Sequence, residues 1–446
     1  MFNYDLSGKN KYYKLYSYIR DDILRGKIAE GERLPSKRAL AADLGVSVMT
    51  VQLAYDQLLA EGYIRSKERS GFYVEKVASV SLNQAAKQYF NEEKSVPQKY
   101  RIDLVNGNTP PNMFPFSVWA RLMRAVLADC GEHLLERVPC DGDYELKKAV
   151  SSYLYRSRGI DVDPKYIVVG AGAEHLYGVI VQLLGRDCIF AVENPGYGRI
   201  SSTYALNGAR VVPVDVDDRG MNTDLLEKSG AQVVHVSPAH QFPTGAVMPV
   251  SVRSKLIDWA KATDGYVIED DYDSEFRLTG KPLQCTYCLC PERVIYMNTF
   301  SKTLAPSMRI GYMVLPPDLY NKFEQVFSSS ASMVPLFEQK ALAAMLDSGS
   351  FERHLSRLRN HYRGVRRVLL EEIRKRDKKC EIFDTGSGLH FVVKFPWAKS
   401  DEEIKLKAQE WGVNIKCVSD YLLAPMQGAE KMAVINYCGL TKDLIK

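Results

Sequence analysis

From residue 101 onward, this 446-residue chain alternates short apolar runs, rich in β-branched residues, with longer stretches of helical periodicity. Helical stretches such as 173–184 and 252–262 separate the apolar runs, which lie at 166–169, 188–192, 210–214, 233–237, 265–269 and 293–297. Such alternation predicts an α/β fold with a mostly parallel sheet and helices on both faces. Ligands of such sheets bind at the carboxyl ends of the strands, so the residues after each run form the candidate site.

Length and composition limit the class of protein. A chain of 446 residues is too long for one ordinary core and predicts two or three domains. The 46% apolar and 25% charged content is typical of a soluble protein. No apolar run approaches the roughly 18 residues of a membrane span, and the N-terminus has no signal-peptide pattern. With nine scattered cysteines, these features predict a cytoplasmic protein without a membrane partner.

One cysteine cluster stands apart from the scatter. Cys285, Cys288 and Cys290 form a C-x-x-C-x-C pattern, which could indicate zinc. Because no second ligand pair follows at finger-like spacing, we predict no metal site, and the role of the three cysteines stays open.

The run from Thr299 to Arg309 contains Lys302 beside the hydroxyl of Ser301. A buried lysine can lose its proton through desolvation and attack an aldehyde. Hydroxyls and a guanidinium are natural partners of a phosphate dianion. Together these residues predict pyridoxal 5'-phosphate (PLP), whose chemistry needs a lysine Schiff base and an acid at the pyridine nitrogen. A solvated lysine near a surface arginine is the alternative interpretation of this run alone.

Other polar runs follow the predicted strands. The glycine-rich residues 170–174 enter a helix, where free backbone N–H groups favour an anion, although such a turn alone is a weak indication. Residues 193–199, 238–245 and 269–275 follow later strands. Asp270 could equally belong to a helix-capping cluster, and Tyr197 could be a core aromatic residue.

The first 75 residues have a different pattern. Apolar spacing predicts a helix from Tyr12 to Leu24, a second helix capped by Ser36 and a third capped by Ser47. Two helices joined by a glycine-containing turn indicate a helix-turn-helix, whose second helix enters the major groove of DNA. Residues 63–74 then alternate like a strand pair around a basic turn, which predicts a wing.

Residues 34–41, 46–51, 54–58, 61–64 and 70–74 resemble the winged helix-turn-helix of GntR-type bacterial regulators. The resemblance implies binding to double-stranded operator DNA. The implied contact residues are Ser36, Arg38, Ser47, Thr50 and Gln52 on the helices, with Arg65, Lys67 and Arg69 near backbone phosphate and Gly71 at the wing tip. A solvated helix face is the alternative for these polar residues. Val48 stands where the family often has arginine, so that readout must move elsewhere or use a thymine methyl group.

The order of the runs after the strands resembles fold-type I aminotransferases, and more closely the aminotransferase-like domain of MocR-type regulators, over residues 101–440. The resemblance implies that Lys302 forms the Schiff base as the catalytic residue. The other implied cofactor-binding residues are Asp270 at the pyridine nitrogen, Tyr272 near the ring oxygen with His240 or Gln241 beside it, Tyr197 on the ring face, and Ala173, Glu174, Thr299, Ser301 and Arg309 at the phosphate. Phe242 occupies the slot of a conserved aminotransferase asparagine.

The substrate side departs from the aminotransferases. They need a C-terminal arginine for the substrate carboxylate, but residues 381–446 contain none, and Lys416 is only a point charge. Arg199 matches a MocR ligand-contacting arginine, although it could instead form a surface ion pair. These observations predict a PLP-dependent regulator that senses an amine, an amino-acid-like effector or PLP itself, with at most slow transamination. A true aminotransferase and an inactive scaffold are the alternatives.

The resemblances imply three segments. Residues 1–76 would be the winged helix-turn-helix, 77–100 a linker, and 101–446 the PLP- and effector-binding domain, with a small C-terminal α+β subdomain from about residue 330. Two DNA half-sites imply a homodimer. The linker is long enough for a head to dock on the neighbouring subunit in a head-to-tail exchange. The sequence identifies neither the operator nor the effector, nor whether the protein activates or represses.

Overall fold

The computed structural model of the chain describes residues 4–8, 10–68, 70–77, 100–105, 109–279 and 283–445. The chain separates into two compact units, Met1–Gln98 and Lys99–Lys446, here called the N-terminal unit and the large unit. The predicted linker at 77–100 lies almost wholly outside the described residues, and the three predicted domain boundaries stay predictions.

The N-terminal unit is built from three helices and one strand pair. Its elements are α1 (Lys11–Leu24), α2 (Lys37–Leu44), α3 (Val48–Ala60), β1 (Ile64–Lys67) and β2 (Gly71–Val74). The two strands pair antiparallel, from Ile64 opposite Val74 to Lys67 opposite Gly71. Apolar residues at helical spacing form one core, and Leu15, Val51 and Leu58 are fully buried in it. The predicted helix-turn-helix and wing are therefore confirmed.

Two serines determine where α2 and α3 begin. The hydroxyl of Ser36 accepts a hydrogen bond from the Ala39 amide at 3.2 Å, and that of Ser47 accepts one from the Thr50 amide at 3.1 Å. Each serine satisfies an amide that the first helical turn leaves unpaired. Gly45 follows α2 in the left-handed conformation, which glycine adopts without a steric penalty. The short turn between the two helices is thus encoded locally.

The large unit contains eleven described helices and fourteen strands. The helices are α4 (Phe116–Cys130), α5 (Tyr144–Arg158), α6 (Ala173–Leu184), α7 (Gly198–Leu206), α8 (Thr223–Lys228), α9 (Val250–Ala262), α10 (Pro317–Phe327), α11 (Leu336–Asp347), α12 (Ser350–Arg376), α13 (Asp401–Glu410) and α14 (Lys442–Ile445). The strands are β3 (Ile102–Asp103), β4 (Ile167–Gly170), β5 (Ile189–Asn194), β6 (Arg210–Asp217), β7 (Gly220–Met221), β8 (Val233–Val236), β9 (Tyr266–Asp270), β10 (Val294–Thr299), β11 (Gly311–Val314), β12 (Glu381–Phe383), β13 (His390–Lys394), β14 (Val413–Asn414), β15 (Lys416–Cys417) and β16 (Met432–Asn436).

Eight strands form one sheet in the order β4-β11-β10-β9-β8-β5-β6-β7. The central neighbours β10, β9, β8, β5 and β6 are parallel, whereas β11 runs antiparallel to both β10 and β4, and β7 antiparallel to β6. All six strands predicted from the apolar runs belong to this sheet, and its mostly parallel character is confirmed. The sequence pattern did not predict the short strands β7 and β11.

Helices cover both faces of this sheet because successive strand residues point to opposite sides. On β4, Ile167 and Val169 join a core with α5, α9 and α11, whereas Val168 joins a second core with α6 and α10. All four residues of β4 and of β8 are buried, which explains why these strands appear in the sequence as apolar runs without alternation.

The C-terminal part of the large unit has its own sheet, in the order β12-β13-β16-β15, with every pair antiparallel. Leu358 and Tyr362 of α12 are buried against Phe391 and Ile435 of this sheet. The short strand β14 pairs in parallel with β3. Among the described residues, no helix is long and apolar enough to cross a membrane.

Two leucines of α3 give a matched test of the N-terminal core. Leu58 is fully buried, whereas the Leu53 side chain is 47% exposed. Leu58→Ala should lower the unfolding free energy of this unit by about 2–5 kcal/mol, because it leaves a cavity. Leu53→Ala should change it by no more than about 0.5 kcal/mol. Hydrogen exchange of peptides from residues 48–60 in the full chain measures both, and equal effects would contradict the packing described.

Candidate functional site

Five strands of the large sheet end at the same edge. Strands β4, β5, β8, β9 and β10 all point in one direction, because β4 and β10 are each antiparallel to β11. Their carboxyl ends therefore bring the turn after Gly170, the loops after Asn194 and Val236, and the residues after Asp270 and Thr299 to one edge. This is the edge that the sequence predicted, and most of the predicted site residues lie there.

Asp270 is the last residue of β9, and its carboxylate is held by aromatic side chains behind it. The Tyr177 hydroxyl of α6 donates to Asp270 Oδ2 at 2.6 Å, and His235 Nε2 lies 3.4 Å from the same oxygen. Tyr204 in turn contacts His235 Nδ1 at 2.6 Å. Burial, and then the Asp270 charge, raises the pKa of Tyr177 well above its usual value, so this phenol stays a donor.

Sequence reasoning missed these supporting residues. Tyr177 lies four residues into the helix that follows the glycine-rich turn, where its aromatic ring suggested only core packing. His235 is the one polar residue in the apolar run Val233–Val236, and that interruption was the available signal. Asp270 is thus part of a hydrogen-bond network and not of a helix-capping cluster.

The glycine-rich turn and the Lys302 run meet at the start of α6. Gly172 has φ +83°, and a Cβ atom there would lie 3.1 Å from the Arg309 guanidinium carbon. Arg309 itself adopts the left-handed conformation with φ +49°. The hydroxyl oxygens of Thr299 and Ser301 are 2.9 Å apart. The predicted phosphate-binding elements thus include a guanidinium against a helix N-terminus, an arrangement that favours an anion.

The Glu174 side chain has a role that the sequence did not suggest. Its carboxylate lies 2.9 Å from an Arg199 nitrogen and 3.6 Å from an Arg309 nitrogen. The Arg199 and Arg309 side chains are 66% and 50% exposed, so these ion pairs contribute little stability and can be exchanged. Arg199 therefore forms the ion pair that the sequence left as an alternative, and its contact with an effector stays a prediction.

Lys302 follows β10 in the turn before the 3₁₀ helix Pro306–Met308. It is half-buried, and its backbone carbonyl accepts a hydrogen bond from the Thr109 hydroxyl at 3.2 Å. Burial, then the neighbouring His240 and Lys302, lowers the pKa of His390 well below its usual value. Lys302 is therefore close to a buried, neutral imidazole that belongs to β13 of the small sheet.

A buried cluster of His240, Asp273 and His390 lies beside this lysine. His240 Nδ1 lies 3.0 Å from Asp273 Oδ2, and the two imidazole rings are 4.2 Å apart. The Tyr272 hydroxyl donates to the His240 backbone carbonyl at 3.1 Å. A Cβ atom on Gly388 would lie 1.9 Å from His240 Nδ1, so only glycine fits there. The cluster fixes the loop that carries His240 against Tyr272, and the sequence suggested neither Asp273 nor His390.

The ligand-type atoms of His240, Asp273 and His390 lie within 4.8 Å of one another, which also makes them the metal-binding candidate among the described residues. Within the same part of the chain, Nε2 of each histidine has no hydrogen-bond partner. The sequence predicted no metal, and that prediction stays untested.

Aromatic residues form one wall of the site. The Phe242 ring packs edge-on against Tyr197 at 5.9 Å and against Tyr421 at 4.8 Å. Tyr197 is 45% exposed and is therefore not a core aromatic residue. The Lys416 ammonium lies 5.5 Å from the centre of the Tyr421 ring. The side-chain amide of Gln241 donates a hydrogen bond to the Pro195 carbonyl at 2.9 Å.

On the N-terminal unit, several predicted DNA contacts also have structural roles. Thr50 shares a 2.8 Å hydrogen bond with Ser47, and Gln52 donates to Asp56 and accepts from Lys37. The apolar residues Val48 and Met49 of α3 are 46% and 65% exposed. Apolar groups at this position suit contact with thymine methyl groups, which is one of the two alternatives that the sequence left open.

The wing also carries predicted contacts. Arg65 pairs with Glu75 at 3.1 Å, and Lys67 is exposed, as is Arg38 on α2. Arg69 lies outside the described residues. Gly71 has φ +119°, and a Cβ atom there would lie 3.2 Å from the Arg33 side chain. Arg33, which the sequence analysis did not single out, therefore lies against the wing.

Comparison with known proteins covers both units. The family model "Bacterial regulatory proteins, gntR family" matches residues 11–74, and "Aminotransferase class I and II" matches residues 105–433. The chain is 33% identical to the probable rhizopine catabolism regulatory protein MocR of Rhizobium meliloti, over 96% of this chain and 90% of that protein. It is 29% identical to the pyridoxine biosynthesis transcriptional regulator PdxR of Corynebacterium glutamicum, over 92% and 88% of the two chains.

Solved structures agree on the fold of the large unit. An archaeal alanine:glyoxylate aminotransferase superimposes with a TM-score of 0.69 at 21% identity, over 81% of this chain and 91% of that one. The kynurenine aminotransferase of Pyrococcus horikoshii gives 0.68 at 23% identity, over 83% and 92%. At these identities the likeness shows the fold alone.

Glu193, beside Asp270, predicts how stability depends on pH. Burial raises the pKa of this carboxyl from 4.5 to about 8. The folded chain thus keeps a proton that the unfolded chain loses above about pH 4.5. The stabilisation is fully present below that pH and is lost as the pH rises to about 8, at up to about 1.4 kcal/mol per unit. Urea unfolding from about pH 5 to 8 should show the wild type losing stability relative to Glu193→Gln. A constant difference between the two proteins would contradict this assignment.

Proposed function

The chain belongs to the MocR-type subfamily of GntR transcriptional regulators, and on that basis we propose that it is a DNA-binding regulator that holds PLP in its aminotransferase-like unit. In this proposal a small amine, an amino-acid-like effector or PLP itself occupies the pocket and changes operator binding. The observation that carries the proposal is the convergence of Lys302, Asp270 and Arg309 at one sheet edge, in a chain that begins with a winged helix-turn-helix.

The residues at this edge fit a pyridine ring that carries a phosphate. A Cβ atom on Gly172 would crowd the Arg309 guanidinium, so glycine at this position lets the guanidinium lie against the start of α6. The Thr299 and Ser301 hydroxyls can donate to phosphate oxygens, as can the amides at the start of α6. Asp270, held by Tyr177, supplies a fixed negative charge for a protonated ring nitrogen.

In this proposal each side chain at the sheet edge has a separate role in holding PLP. PLP, when bound, supplies an aldehyde that reacts reversibly with amines. Lys302 provides the primary amine of the protein, and the neighbouring His390 is neutral, so it adds no positive charge beside that amine. Tyr272 offers a hydroxyl oriented by the His240 carbonyl, and Arg309 binds the phosphate in place of its weak contact with Glu174.

The residues available to bind an effector support sensing of a small molecule more than catalytic transamination. No arginine exists between residues 381 and 446, so this segment lacks the guanidinium fork that holds a substrate carboxylate in aminotransferases. Lys416 lies beside the Tyr421 ring of the aromatic wall, and Arg199 pairs with Glu174 at the start of α6. PLP as the sensed molecule agrees with this composition, and the relative named PdxR is a pyridoxine biosynthesis regulator.

Regulation requires that the effector bind two conformations with different affinity, since a ligand shifts an equilibrium only by that difference. A change at Lys302 on cofactor or effector binding would supply it. We expect the protein to act as a homodimer, because two recognition helices read two half-sites of an operator. An exchange of heads between the subunits is part of the proposal.

The cofactor assignment predicts a ranking of three variants. Lys302→Ala should lose covalent attachment of PLP, measured as the visible absorption band and as a borohydride-fixed adduct in mass spectrometry. Arg309→Ala should weaken PLP binding about 10- to 100-fold, because a charge-assisted hydrogen bond is lost. Arg199→Ala, which removes the other guanidinium beside Glu174, should leave PLP affinity within about threefold.

Three outcomes would contradict the proposed function or its residue assignments. An adduct on a lysine other than Lys302 would refute the cofactor site, and equal losses in Arg309→Ala and Arg199→Ala would refute the phosphate assignment. Rapid turnover with an amino acid and a keto acid would identify the protein as an aminotransferase with an appended DNA-binding domain.

The DNA surface predicts a difference between two exposed arginines of the N-terminal unit. Arg38→Ala should weaken binding to duplexes selected from a random library and reduce the salt slope by about one, as expected for one lost phosphate contact. Arg25→Ala, at the end of α1, removes the same charge away from the predicted contacts and should leave both values unchanged. Fluorescence anisotropy across a salt series measures them, and identical behaviour of the two variants would contradict the predicted DNA contact.

A further inference from the structure

We propose that Cys285 and Cys288 form a thiol modification site that reacts with hydroperoxides, in which Cys288 is oxidised first and Cys285 then closes a disulfide with it. This site is separate from the cofactor pocket and does not depend on PLP binding. It gives a chemical role to the cysteine cluster that the sequence pattern alone left open.

The geometry of the pair carries the proposal. Cys285 Sγ and Cys288 Sγ lie 3.0 Å apart, so the two sulfur atoms are already in contact. The residues between them form a tight turn that leads into the 3₁₀ helix Tyr287–Leu289. Bond formation therefore needs only a small local adjustment.

The two thiols differ in access to solvent. Cys285 is 1% exposed, whereas Cys288 is half-buried and lines an open cleft of about 500 Å³ together with Arg158 and Gly159. Cys285 borders a separate cavity of about 210 Å³, but only 1% of this residue is exposed, so Cys288 is the thiol that a small hydroperoxide reaches more readily. Access assigns Cys288 as the attacking thiol and Cys285 as the resolving thiol.

The contact between the two thiols agrees with this assignment. The hydrogen bond with Cys285 lowers the pKa of the Cys288 thiol and the Arg158 guanidinium lowers it further, while burial and the Glu269 carboxylate act in the opposite direction. The pKa of Cys285 is raised, because it is the hydrogen-bond donor and is buried. Thiolates, and not thiols, are the nucleophiles toward peroxides.

A buried carboxylate holds the turn in place. Glu269 accepts hydrogen bonds from the Thr286 amide at 2.9 Å and the Tyr287 amide at 2.8 Å. These two residues are the ones between the cysteines, so the turn is fixed before any reaction. Glu269 precedes Asp270 on β9. The residue that holds the cysteine turn is therefore the chain neighbour of the residue proposed to face the pyridine nitrogen.

The third cysteine does not join the pair. Cys290 is 1% exposed, and burial raises the pKa of its thiol. Within the described part of the chain, the three cysteines do not form a group of three metal-ligating atoms. This arrangement favours a dithiol over the zinc site that the C-x-x-C-x-C spacing could indicate.

The reaction balances with a hydroperoxide as the oxidant. The Cys288 thiolate attacks one peroxide oxygen, forming an S–O bond and breaking the O–O bond, and the leaving oxygen takes up the proton that Cys288 lost. The Cys285 sulfur then attacks the Cys288 sulfur, forming the S–S bond and breaking the S–O bond, and the departing hydroxyl takes the Cys285 proton to leave as water. Two thiols are oxidised by two electrons, and the peroxide is reduced to water or an alcohol plus water.

The test treats the reduced full-length protein with equimolar hydrogen peroxide, alkylates the remaining thiols and maps the tryptic peptide 278–293. We expect a Cys285–Cys288 disulfide with Cys290 alkylated. Cys285→Ser should stop at a sulfenic acid on Cys288, which dimedone traps. Cys288→Ser should slow oxidation of this peptide at least about tenfold, because the accessible thiolate is gone. Cys290→Ser, the matched control, should react like the wild type.

Three results would overturn the proposal. They are a disulfide that includes Cys290, unchanged oxidation kinetics in Cys288→Ser, and purified protein that carries stoichiometric zinc on these thiols and resists peroxide. A near-ultraviolet circular dichroism spectrum identical to that of the wild type shows that each variant is folded.

Discussion

Burial of charge at the end of β9 is the constraint on which the large unit depends. Five acidic residues fall within seven positions there, all of them less than 10% exposed: Glu269, Asp270, Asp271, Asp273 and Glu275. A buried carboxylate is costly unless it is paired or hydrogen-bonded. Each of the five therefore needs a hydrogen-bond or charge partner from another helix, strand or loop. The need for these partners constrains how the surrounding elements pack against the end of β9.

The partners come from most of the surrounding structure. Asp271 pairs with Arg158 at the end of α5 and accepts from the Tyr296 hydroxyl of β10. Asp273 binds His240 and the Leu389 amide, which ties the small sheet to the edge of the large one. The candidate site and the cysteine turn are thus both held by side chains of a single acidic segment.

The sequence could predict what is encoded locally. Buried parallel strands appear as apolar runs, and the residues after them reach one edge because of sheet geometry, so Lys302, Asp270 and Arg309 were predictable. Tyr177 and His390 were not, because each reaches the site through contacts with residues distant in the chain, and the only signal for His235 was a polar residue within an apolar run. Strand β11 was missed although it lies in the apolar run 310–315, which Pro316 and Pro317 end.

The acidic segment also has a consequence for biosynthesis. Its hydrogen bonds join residues 93, 116 and 122 positions apart, to Tyr177, Leu389 and Tyr153. Contacts of such high sequence separation form late and slow folding. As the ribosome extends the chain, the centre of the sheet keeps unpaired carboxylates until residue 389 has emerged. The N-terminal unit, whose contacts are short in sequence, can fold long before. A nascent chain therefore carries a finished DNA-binding unit before its aminotransferase-like unit is complete.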